Sequence, residues 1–384
     1  MTAAKQISEE ELWAQVSEAQ RGVLEANHFD VEEFMALRQA YLSGELSASK
    51  NRLGGEVEVP ADEDVRELPG RDSAEGRAFI ALGEAAISRG EVGIVVLNGG
   101  MATRFGGVVK GCVEVFDGLS FLALKARDIG RYGSAARMLL MNSFATAEKT
   151  AQHLRAHDNF GLNTDQIIHF NQSVSLRMAP EGELFRRDEA QNVSLYAPGH
   201  GDLQTAIRRE ALAEFRRSGG KYLMMSNVDN ILATLDPLVV GMHVDASSRG
   251  VQMSVEAVQK KPGQVGGFVA RVDGMPQIVE HFRLPDASLK DALQLLNTNT
   301  FLFDADALEE QAELTWFVVE KTVDGRSAIQ FERLAGELSA VLKTAILKVP
   351  STGDDSRFEP VKRREDLAQN RDRLKSLMAG RGII

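Results

Sequence analysis

Residues 92–107 read VGIVVLNGGMATRFGG, an apolar run that passes directly into a glycine-rich segment. The run that ends at Leu97 is short, continuous and rich in valine, which predicts a buried strand. Glycine after a strand lets backbone N–H groups approach an anion closely. Arg104 adds a rigid guanidinium fork, and Lys110 adds a mobile ammonium a few residues later. The stretch therefore predicts a strand followed by a phosphate-binding turn.

Apolar segments of strand length alternate with helical patterns along most of the chain. The strand-like segments lie at 137–141, 166–170, 222–225 and 251–257. The helical patterns lie near 73–89, 121–132, 145–157, 203–217 and 237–244. Such alternation predicts an α/β fold, Rossmann-like, with a mostly parallel sheet flanked by helices. In sheets of this kind, ligands bind in the loops at the carboxyl ends of the strands.

Three further regions surround this α/β core. Residues 1–72 form an N-terminal helical segment and connection, in which a capping box begins at Ser8, and we expect its helices to pack against the sheet. Within the predicted α/β domain of residues 73–350, short β-rich pieces at 267–272, 277–282 and 299–303 indicate a small antiparallel insertion beside the main sheet, at about 258–305. Residues 351–384 form a C-terminal segment that ends in a helix.

Composition and charge limit the possible classes of protein. The 384 residues carry a formal net charge of −11 and a pI near 5.3, which argues against binding to nucleic acid or to an anionic membrane. The polar N-terminus lacks the basic flank and apolar run of a secretion signal, and no apolar run is long enough to span a bilayer. Cys112 is the only cysteine, so we expect no internal disulfide, a reducing cytoplasmic setting and a buried structural thiol.

The glycine-rich segment does not follow the common nucleotide-binding fingerprints. Its spacing departs from the G-x-G-x-x-G of nicotinamide-dependent dehydrogenases and from the G-x-x-x-x-G-K-[ST] of P-loop proteins. A dehydrogenase is therefore disfavoured. A tight strand–helix turn without a ligand is the alternative that the segment alone leaves open.

Seven short motifs, in order along the chain, resemble those of the eukaryotic-type UDP-glucose pyrophosphorylases and their UDP-N-acetylhexosamine relatives. The first is the glycine-rich stretch itself, Leu-Asn-Gly-Gly-x-x-Thr-Arg from Leu97, with Lys110 downstream. The others are MNSF at 141–144, FNQS at 170–173, PGHGD at 198–202, SNVDN at 226–230, NTN at 297–299 and FEPVK at 358–362. Each motif is short, but the shared order makes the resemblance specific.

The resemblance implies a UTP:sugar-1-phosphate uridylyltransferase, a nucleotidyltransferase with UTP and a sugar 1-phosphate as substrates and Mg²⁺ as cofactor. Glucose 1-phosphate is the default sugar, which would give UDP-glucose and pyrophosphate; N-acetylglucosamine 1-phosphate and galactose 1-phosphate stay open. The implied fold is the GT-A-like fold of nucleotide-sugar transferases, with residues 73–350 as the catalytic domain. A non-catalytic nucleotide-sugar binding protein is the alternative from another class.

The resemblance also implies roles for individual residues. Lys110, Lys362 and Arg104 would be catalytic and act on the phosphates. Asp229 would hold Mg²⁺, although a turn residue is the alternative interpretation of Asn-Val-Asp-Asn. The nucleotide-binding residues would be Leu97, Asn98, Gly99, Gly100, Met141, Gln172 and Gly199. The residues that bind the sugar or its phosphate would be His200, Asn227, Glu280, Asn297 and Asn299.

The chain departs from the family pattern in the glycine-rich segment and near its C-terminal end. Ala102 stands where the family usually has glycine, and Val109 where it usually has the proline before the lysine. Only 22 residues follow Lys362, too few for the C-terminal β-helix domain that many members use for assembly. We therefore expect no β-helix domain, and a monomer or a small homo-oligomer.

Overall fold

The computed structural model describes residues 7–102, 107–187 and 192–384. In these ranges the chain forms an α/β architecture, with an extended sheet in the middle and helices on both of its faces. None of the helices in the described ranges combines the length and the apolar character needed to cross a bilayer.

The strands are numbered in chain order. They are β1 (Val57–Glu58), β2 (Val65–Glu67), β3 (Val92–Leu97), β4 (Met101–Ala102), β5 (Val108–Val109), β6 (Glu114–Phe116), β7 (Leu119–Ser120), β8 (Arg137–Asn142), β9 (Ile167–Asn171), β10 (Ser175–Leu176), β11 (Arg186–Arg187), β12 (Asn192–Val193), β13 (Leu195–Tyr196), β14 (Tyr222–Asn227), β15 (Met253–Gln259), β16 (Gly267–Val272), β17 (Met275–Glu280), β18 (Leu295–Asp304), β19 (Phe317–Val323), β20 (Arg326–Glu332) and β21 (Thr344–Lys348).

The α-helices lie between and around these strands. They are α1 (Glu9–Trp13), α2 (Glu18–Ala26), α3 (Val31–Leu42), α4 (Ala74–Ser88), α5 (Phe121–Gly130), α6 (Ala147–Ala156), α7 (Leu203–Glu210), α8 (Leu212–Arg217), α9 (Pro237–Ser247), α10 (Leu289–Ala292) and α11 (Arg364–Gly380). The capping box predicted at Ser8 is present, since the Ser8 hydroxyl accepts from the Glu11 N–H and the Glu11 carboxylate accepts from the Ser8 N–H. The helix predicted over 203–217 is divided at Ala211 into α7 and α8.

The main sheet has the strand order β2-β21-β15-β18-β14-β3-β8-β9. Every neighbouring pair is parallel except the two pairs made by β18, which runs antiparallel to β14 and to β15. Strands β3, β8 and β14 are buried along almost their whole length, as continuous apolar runs predict for central parallel strands. The prediction of a mostly parallel sheet flanked by helices is confirmed.

The strand expected at 299–303 differs from the prediction in length and in position. It spans Leu295–Asp304 as β18 and occupies the middle of the main sheet instead of an insertion beside it. Only β16 and β17 form a hairpin at the margin, joined to β18 by the pairing of Phe268 with Leu296. The apolar pattern of a strand indicates which of its faces is buried, but it does not identify the neighbouring strand.

The sheet carries an apolar core on each face. On one face Ile94 and Leu140 pack in the core that contains side chains of α4, α5, α9 and α11. On the other face Val95 and Leu139 pack in the core that contains side chains of α7 and α8. Adjacent residues of one strand thus enter opposite cores, because successive side chains of a strand point to opposite faces.

A third apolar core lies outside the main sheet and contains the N-terminal helices. Leu12, Leu24 and Phe34 contribute one buried side chain from each of α1, α2 and α3. They share this core with Ile329 and Phe331 of the β19–β20 hairpin. The expectation that these helices pack against the sheet was wrong, because an amphipathic pattern shows that a helix buries one face and does not show what covers that face.

The carboxyl ends of the parallel strands meet at one edge of the main sheet. The last residues of β3, β8, β9 and β14 are Leu97, Asn142, Asn171 and Asn227. Because β18 runs in the opposite direction, its first half, with Asn297, reaches the same edge. The polar residues that follow these strands are therefore gathered in one region.

Candidate active site

A cleft of about 1480 Å³ opens at this edge of the sheet. The residues predicted from the sequence that line it are Leu97, Gly99, Gly100, Lys110, Gln172, Gly199, His200, Asn227 and Asp229. Side chains of α2, β12 and β13 line the same cleft. The glycine-rich turn and the motifs after β9 and β14 therefore face one shared space.

Asn98 and Met141 support the cleft from beneath and do not line it. Asn98 is 1% exposed, and its Nδ2 donates to Asn142 Oδ1 and Thr150 Oγ1, each at 2.8 Å. The Asn98 N–H donates to the Met141 carbonyl at 2.9 Å, and the Met141 side chain is buried in the core on the α7 face. Direct contact of either side chain with a nucleotide does not fit this burial; both residues fix the turn after β3.

The segment after the glycines folds back as a short ribbon in which β4 pairs with β5. Val109 has φ −63° and ψ 121°. A proline also adopts these values, so valine in place of the family's proline does not require a different backbone conformation at this position. Arg104 lies outside the described residues, and its catalytic role stays a prediction.

Lys110 and Asp229 form an ion pair in the cleft. The Lys110 ammonium donates to Asp229 Oδ2, and the two side chains are 19% and 12% exposed. Lys110 follows β5 directly, and Asp229 follows the end of β14. The turn after β3 and the loop after β14 thus bring together a cation and a carboxylate that are 119 positions apart in the sequence.

Lys362 reaches the same region through the residues that precede it. The Val361 N–H donates to the Asp229 carbonyl at 3.1 Å, and the Glu359 N–H donates to Asn230 Oδ1 at 3.1 Å. The Lys362 side chain itself is exposed and does not line the cleft. The structure therefore places the Lys362 backbone beside the loop that carries Asp229, with the side chain in solvent.

Gln172 is held close to two glycine backbones. Its side chain is largely buried, and Nε2 donates to the Gly199 carbonyl at 3.1 Å. A Cβ on Gly99 would lie 2.3 Å from Gln172 Oε1, so only glycine lets the amide approach the turn this closely. Gly199 has φ +88°, and a Cβ there would lie 2.5 Å from the Arg333 carbonyl oxygen. The amide carries both a donor and an acceptor, as recognition of a base edge requires.

Because the resemblance makes Gly199 a nucleotide-binding residue, its replacement with alanine should weaken UTP binding about tenfold and lower the free energy of unfolding by about 1–3 kcal/mol. The positive φ and the close Arg333 carbonyl would force the loop to move. Calorimetry with UTP and denaturant unfolding measure the two effects. Gly219→Ala is the matched control, because Gly219 has φ +92° but open space around it. It should lose stability and keep UTP affinity; unchanged UTP affinity in Gly199→Ala would contradict the prediction.

His200 is held in its neutral form. Burial lowers the pKa of His200 to about 4, against a smaller opposing effect of Glu332. The His200 Nδ1 accepts a hydrogen bond from the Ala335 N–H at 3.0 Å, so the ring proton lies on Nε2. A neutral imidazole that lines the cleft can donate from Nε2 to a phosphate or a hydroxyl, but it cannot supply a positive charge near neutral pH.

The low pKa of His200 makes stability depend on pH. The folded chain keeps this histidine neutral while the unfolded chain protonates it near pH 6.5, so its contribution to stability is full at pH 7 and is lost as pH falls toward 4. Between pH 7 and pH 5, the free energy of unfolding should fall by about 1–2 kcal/mol more in the wild type than in His200→Asn, whose Oδ1 can replace Nδ1. Denaturant unfolding at both pH values measures this difference, and equal losses in the two proteins would refute it.

The three asparagines predicted to bind the sugar or its phosphate, Asn227, Asn297 and Asn299, lie close together. Asn299 Nδ2 donates to Asn227 Oδ1 at 3.0 Å, and the Asn299 N–H donates to Asn297 Oδ1 at 2.9 Å. Asn299 has φ +57°, a left-handed value that asparagine tolerates, next to an irregularity in the pairing of β18 with β15. Its Oδ1 is buried and accepts no hydrogen bond from the described residues.

Glu280 is the last residue of β17 and, like Asn297 and Asn299, does not line the cleft. Burial raises the pKa of Glu280 to about 7, and nearby Glu337 adds to the rise. Near neutral pH this carboxyl group can therefore donate as well as accept a hydrogen bond. The structure brings the three asparagines together, whereas the predicted contact of Glu280 with the sugar stays a prediction.

Cys112, the single cysteine of the sequence, is a free thiol that follows the glycine-rich segment. It is half-buried, and burial raises the pKa of Cys112 to about 11. A thiolate is therefore scarce near neutral pH, as expected of a structural cysteine.

A buried ionic cluster lies beneath the Asp229 loop and was not predicted from the sequence. Arg357 is 1% exposed and donates to both carboxylate oxygens of Glu256, at 2.9 and 2.6 Å. A guanidinium nitrogen of Arg357 also lies 3.4 Å from Asp236. Charged residues usually lie in solvent, so a buried cluster of them is hard to predict. The one indication in the sequence was Lys125, a charged residue inside the apolar helical run FLALK at 121–125.

Helix α2 is a second feature of the cleft that was not predicted. Gln20 Nε2 donates to the Val193 carbonyl at 2.7 Å, and the Val193 N–H donates to Gln20 Oε1 at 3.2 Å. This pair of hydrogen bonds fastens α2 to β12, and Ser17, Gln20 and Val23 line the cleft beside β12. Helix α2, with Ser17 at its start, therefore forms part of the cleft.

A metal ion in this cleft would use few protein ligands. Within the ranges that the structure describes, no group of three or more histidine, cysteine or acidic side chains is placed to hold one. Mg²⁺ prefers one or two carboxylates together with phosphate oxygens and water. Asp229, which lines the cleft, fits such an ion as a carboxylate ligand.

The chain matches known proteins along most of its length. The model of the UTP–glucose-1-phosphate uridylyltransferase family matches residues 32–382. The UTP–glucose-1-phosphate uridylyltransferase of Musa acuminata is 27% identical, over 96% of this chain and 80% of that protein. The UDP-N-acetylglucosamine pyrophosphorylase of Saccharomyces cerevisiae is 29% identical, over 67% of this chain and 57% of that protein. The crystal structure of the UDP-N-acetylglucosamine pyrophosphorylase from Trypanosoma brucei, in complex with an inhibitor, shares the fold with a TM-score of 0.75 at 20% identity, over 96% of this chain and 82% of that chain.

Proposed function

The chain belongs to the UTP–glucose-1-phosphate uridylyltransferase family, and we propose that it converts UTP and glucose 1-phosphate to UDP-glucose and pyrophosphate. Uridylyl transfer to a sugar 1-phosphate is supported by the family match and by relatives named for both UDP-glucose and UDP-N-acetylglucosamine. Glucose is proposed as the sugar because the family model and the Musa acuminata protein are named for it.

The chemistry of this reaction suits the residues of the cleft. An oxygen of the sugar phosphate attacks the α-phosphorus of UTP, and the bond to pyrophosphate breaks. The attacking oxygen is already anionic near neutral pH, so no general base is needed. The main barrier is to bring two polyanions together in line and to stabilise the charge on the phosphates. Cations and preorganised backbone donors lower that barrier.

Each part of the cleft would have its own task. The backbone of Gly99 and Gly100 and the ammonium of Lys110 would bind the phosphates of UTP at the end of β3. Gln172, beside Gly199, would hydrogen-bond the edge of the uracil base. His200 would donate from Nε2 to the phosphate or hydroxyls of the sugar.

Asp229 would hold Mg²⁺ that is bound to the phosphates of UTP. When bound, this ion would offset negative charge on the reacting phosphate group. Because Lys110 pairs with Asp229 in the structure, its ammonium would have to turn from the carboxylate to the phosphates as the nucleotide enters.

The observation that carries the proposal is the Lys110–Asp229 pair in the cleft at the carboxyl end of β3 and β14. Binding of a nucleoside triphosphate with its metal ion needs a cation for the phosphates and a carboxylate for the metal. Both groups lie here in one cleft beside a glycine-rich turn.

An assay of pyrophosphate release with UTP, Mg²⁺ and a panel of sugar 1-phosphates tests the proposal. Release should be fastest with glucose 1-phosphate. Faster release with N-acetylglucosamine 1-phosphate or galactose 1-phosphate would change the proposed sugar substrate but not the proposed reaction. If UDP-glucose binds in calorimetry and no sugar gives release, the protein is a nucleotide-sugar binding protein and not a transferase.

A further inference from the structure

We propose that Lys125 is a positioning residue for uridylyl transfer, which holds the loop that carries Asp229 and, through that loop, the segment that carries Lys362. The inference rests on the proposed function for its effect on turnover. Lys125 lies on α5, outside every motif that indicated the site, and its side chain does not line the cleft.

The ammonium of Lys125 ties the end of β14 to both sides of the loop that follows it. Its Nζ donates to Ser226 Oγ at 3.1 Å, within β14 and one residue before its end. It also donates to the carbonyls of Asn230 at 2.9 Å and Ala233 at 2.8 Å. The three N–H donors of the ammonium are thereby used, and the loop between these contacts carries Asp229.

The same loop holds the C-terminal segment. Asn230 Nδ2 donates to the Arg357 carbonyl at 3.1 Å, and Asn230 Oδ1 accepts from the Glu359 N–H at 3.1 Å. The Asp229 carbonyl accepts from the Val361 N–H at 3.1 Å. Lys362 follows directly, so one buried ammonium determines where both the carboxylate and the second lysine enter the site.

Burial of a cation at this position is costly unless its bonds are needed. Lys125 is 2% exposed, and burial lowers its pKa to about 8. The charged groups that face it are Asp128 on its own helix, Arg357, Asp229 and Glu256. An apolar side chain would fill the space at lower cost, but it would leave the Asn230 and Ala233 carbonyls without this donor. The lysine is therefore suited to hold the loop and is not required for packing alone.

Lys125→Met should lower kcat about 30-fold and change KM for UTP by less than about threefold. The loop would still form part of the cleft, but Asp229 and Lys362 would be misplaced relative to the reacting phosphates. Leu124→Ala is the matched control, since Leu124 is the preceding residue of α5 and is buried in the main core. It should destabilise the protein and leave kcat near the wild-type value at a temperature where it is folded. An equal loss of kcat in Leu124→Ala would overturn the proposal.

Hydrogen exchange of the full-length protein without ligands gives a readout that does not depend on turnover. In Lys125→Met, amides in 226–234 and 357–362 should exchange about tenfold faster, while α7 and α8 keep their protection. Leu124→Ala should not show this pattern. Wild-type exchange in both segments of Lys125→Met would overturn the proposal, even if the wild-type protein transferred no uridylyl group.

Ser226→Ala tests the same contact if Lys125→Met does not fold. It removes one of the three acceptors and leaves the ammonium in place. The same two segments should exchange faster, by about threefold, and kcat should fall by a similar factor. If Ser226→Ala leaves both measurements unchanged, the proposal is overturned.

Discussion

Lys110→Met should lower kcat/KM for UTP about 1000-fold, the largest loss expected from a single substitution in this cleft. The ammonium would contact the phosphates in the ground state and in the transition state, so both KM and kcat should suffer. The substitution also leaves the Asp229 carboxylate without its partner, next to the phosphates of the incoming nucleotide. Steady-state kinetics with saturating sugar 1-phosphate measure the change.

Lys221→Met is the control for Lys110→Met. Lys221 is also ion-paired, with Nζ 2.6 Å from Glu91, but it lies just before β14, at the end of the strand away from the cleft. Its replacement should leave kcat/KM within about twofold of the wild-type value, because this ion pair lies at the end of the strand away from the reacting phosphates. A loss below about tenfold in Lys110→Met would remove Lys110 from the reacting phosphates.

Lys362→Met should lower kcat by about 100- to 1000-fold and change the Kd for UTP by less than about threefold. Its backbone is fixed beside Asp229, whereas its side chain is exposed. The charge would therefore act mainly as the transition state develops. Single-turnover kinetics and calorimetry with UTP separate the two effects.

Two other outcomes are possible for Lys362→Met, and each has its own meaning. Equal losses in UTP affinity and in kcat would make Lys362 a ground-state ligand. An unchanged kcat would exclude it from the site. Lys375→Met provides the control, because Lys375 lies further along the same C-terminal segment and pairs with Asp117 at the surface; its replacement should be silent.

The strands of the sheet could be predicted because they are buried on both faces. The predicted and observed bounds coincide for β3, Val92–Leu97, and for β16, Gly267–Val272. The position of β18 could not be predicted, because pairing between distant strands leaves no mark on local apolar spacing. The packing of α1–α3 could not be predicted for the same reason, because residues that share their core lie in the distant β19–β20 hairpin.

The sequence predicted which loops form the site better than it predicted which side chains point into it. Its motifs resemble those of a family, and that membership is confirmed by the match over residues 32–382. Motif membership does not state which way a side chain points: Gln172 lines the cleft, whereas Asn98 and Met141 are buried beneath it. Lys125 belongs to no motif, and two of its three acceptors are backbone carbonyls, which any residue supplies. The roles of the individual residues stay predictions.

The third core has a consequence for the order in which this chain acquires its structure during synthesis. Helices α1–α3 leave the ribosome long before Ile329 and Phe331 of the β19–β20 hairpin, which share their core. The early helices are too short to be stable alone, and their apolar faces stay partly uncovered until the hairpin arrives. The side of the cleft where Gln20 bonds Val193 therefore gains its full support only after the hairpin has joined this core. A chain whose synthesis stops before β19 would have the glycine-rich turn and its lysine but only an incomplete nucleotide cleft.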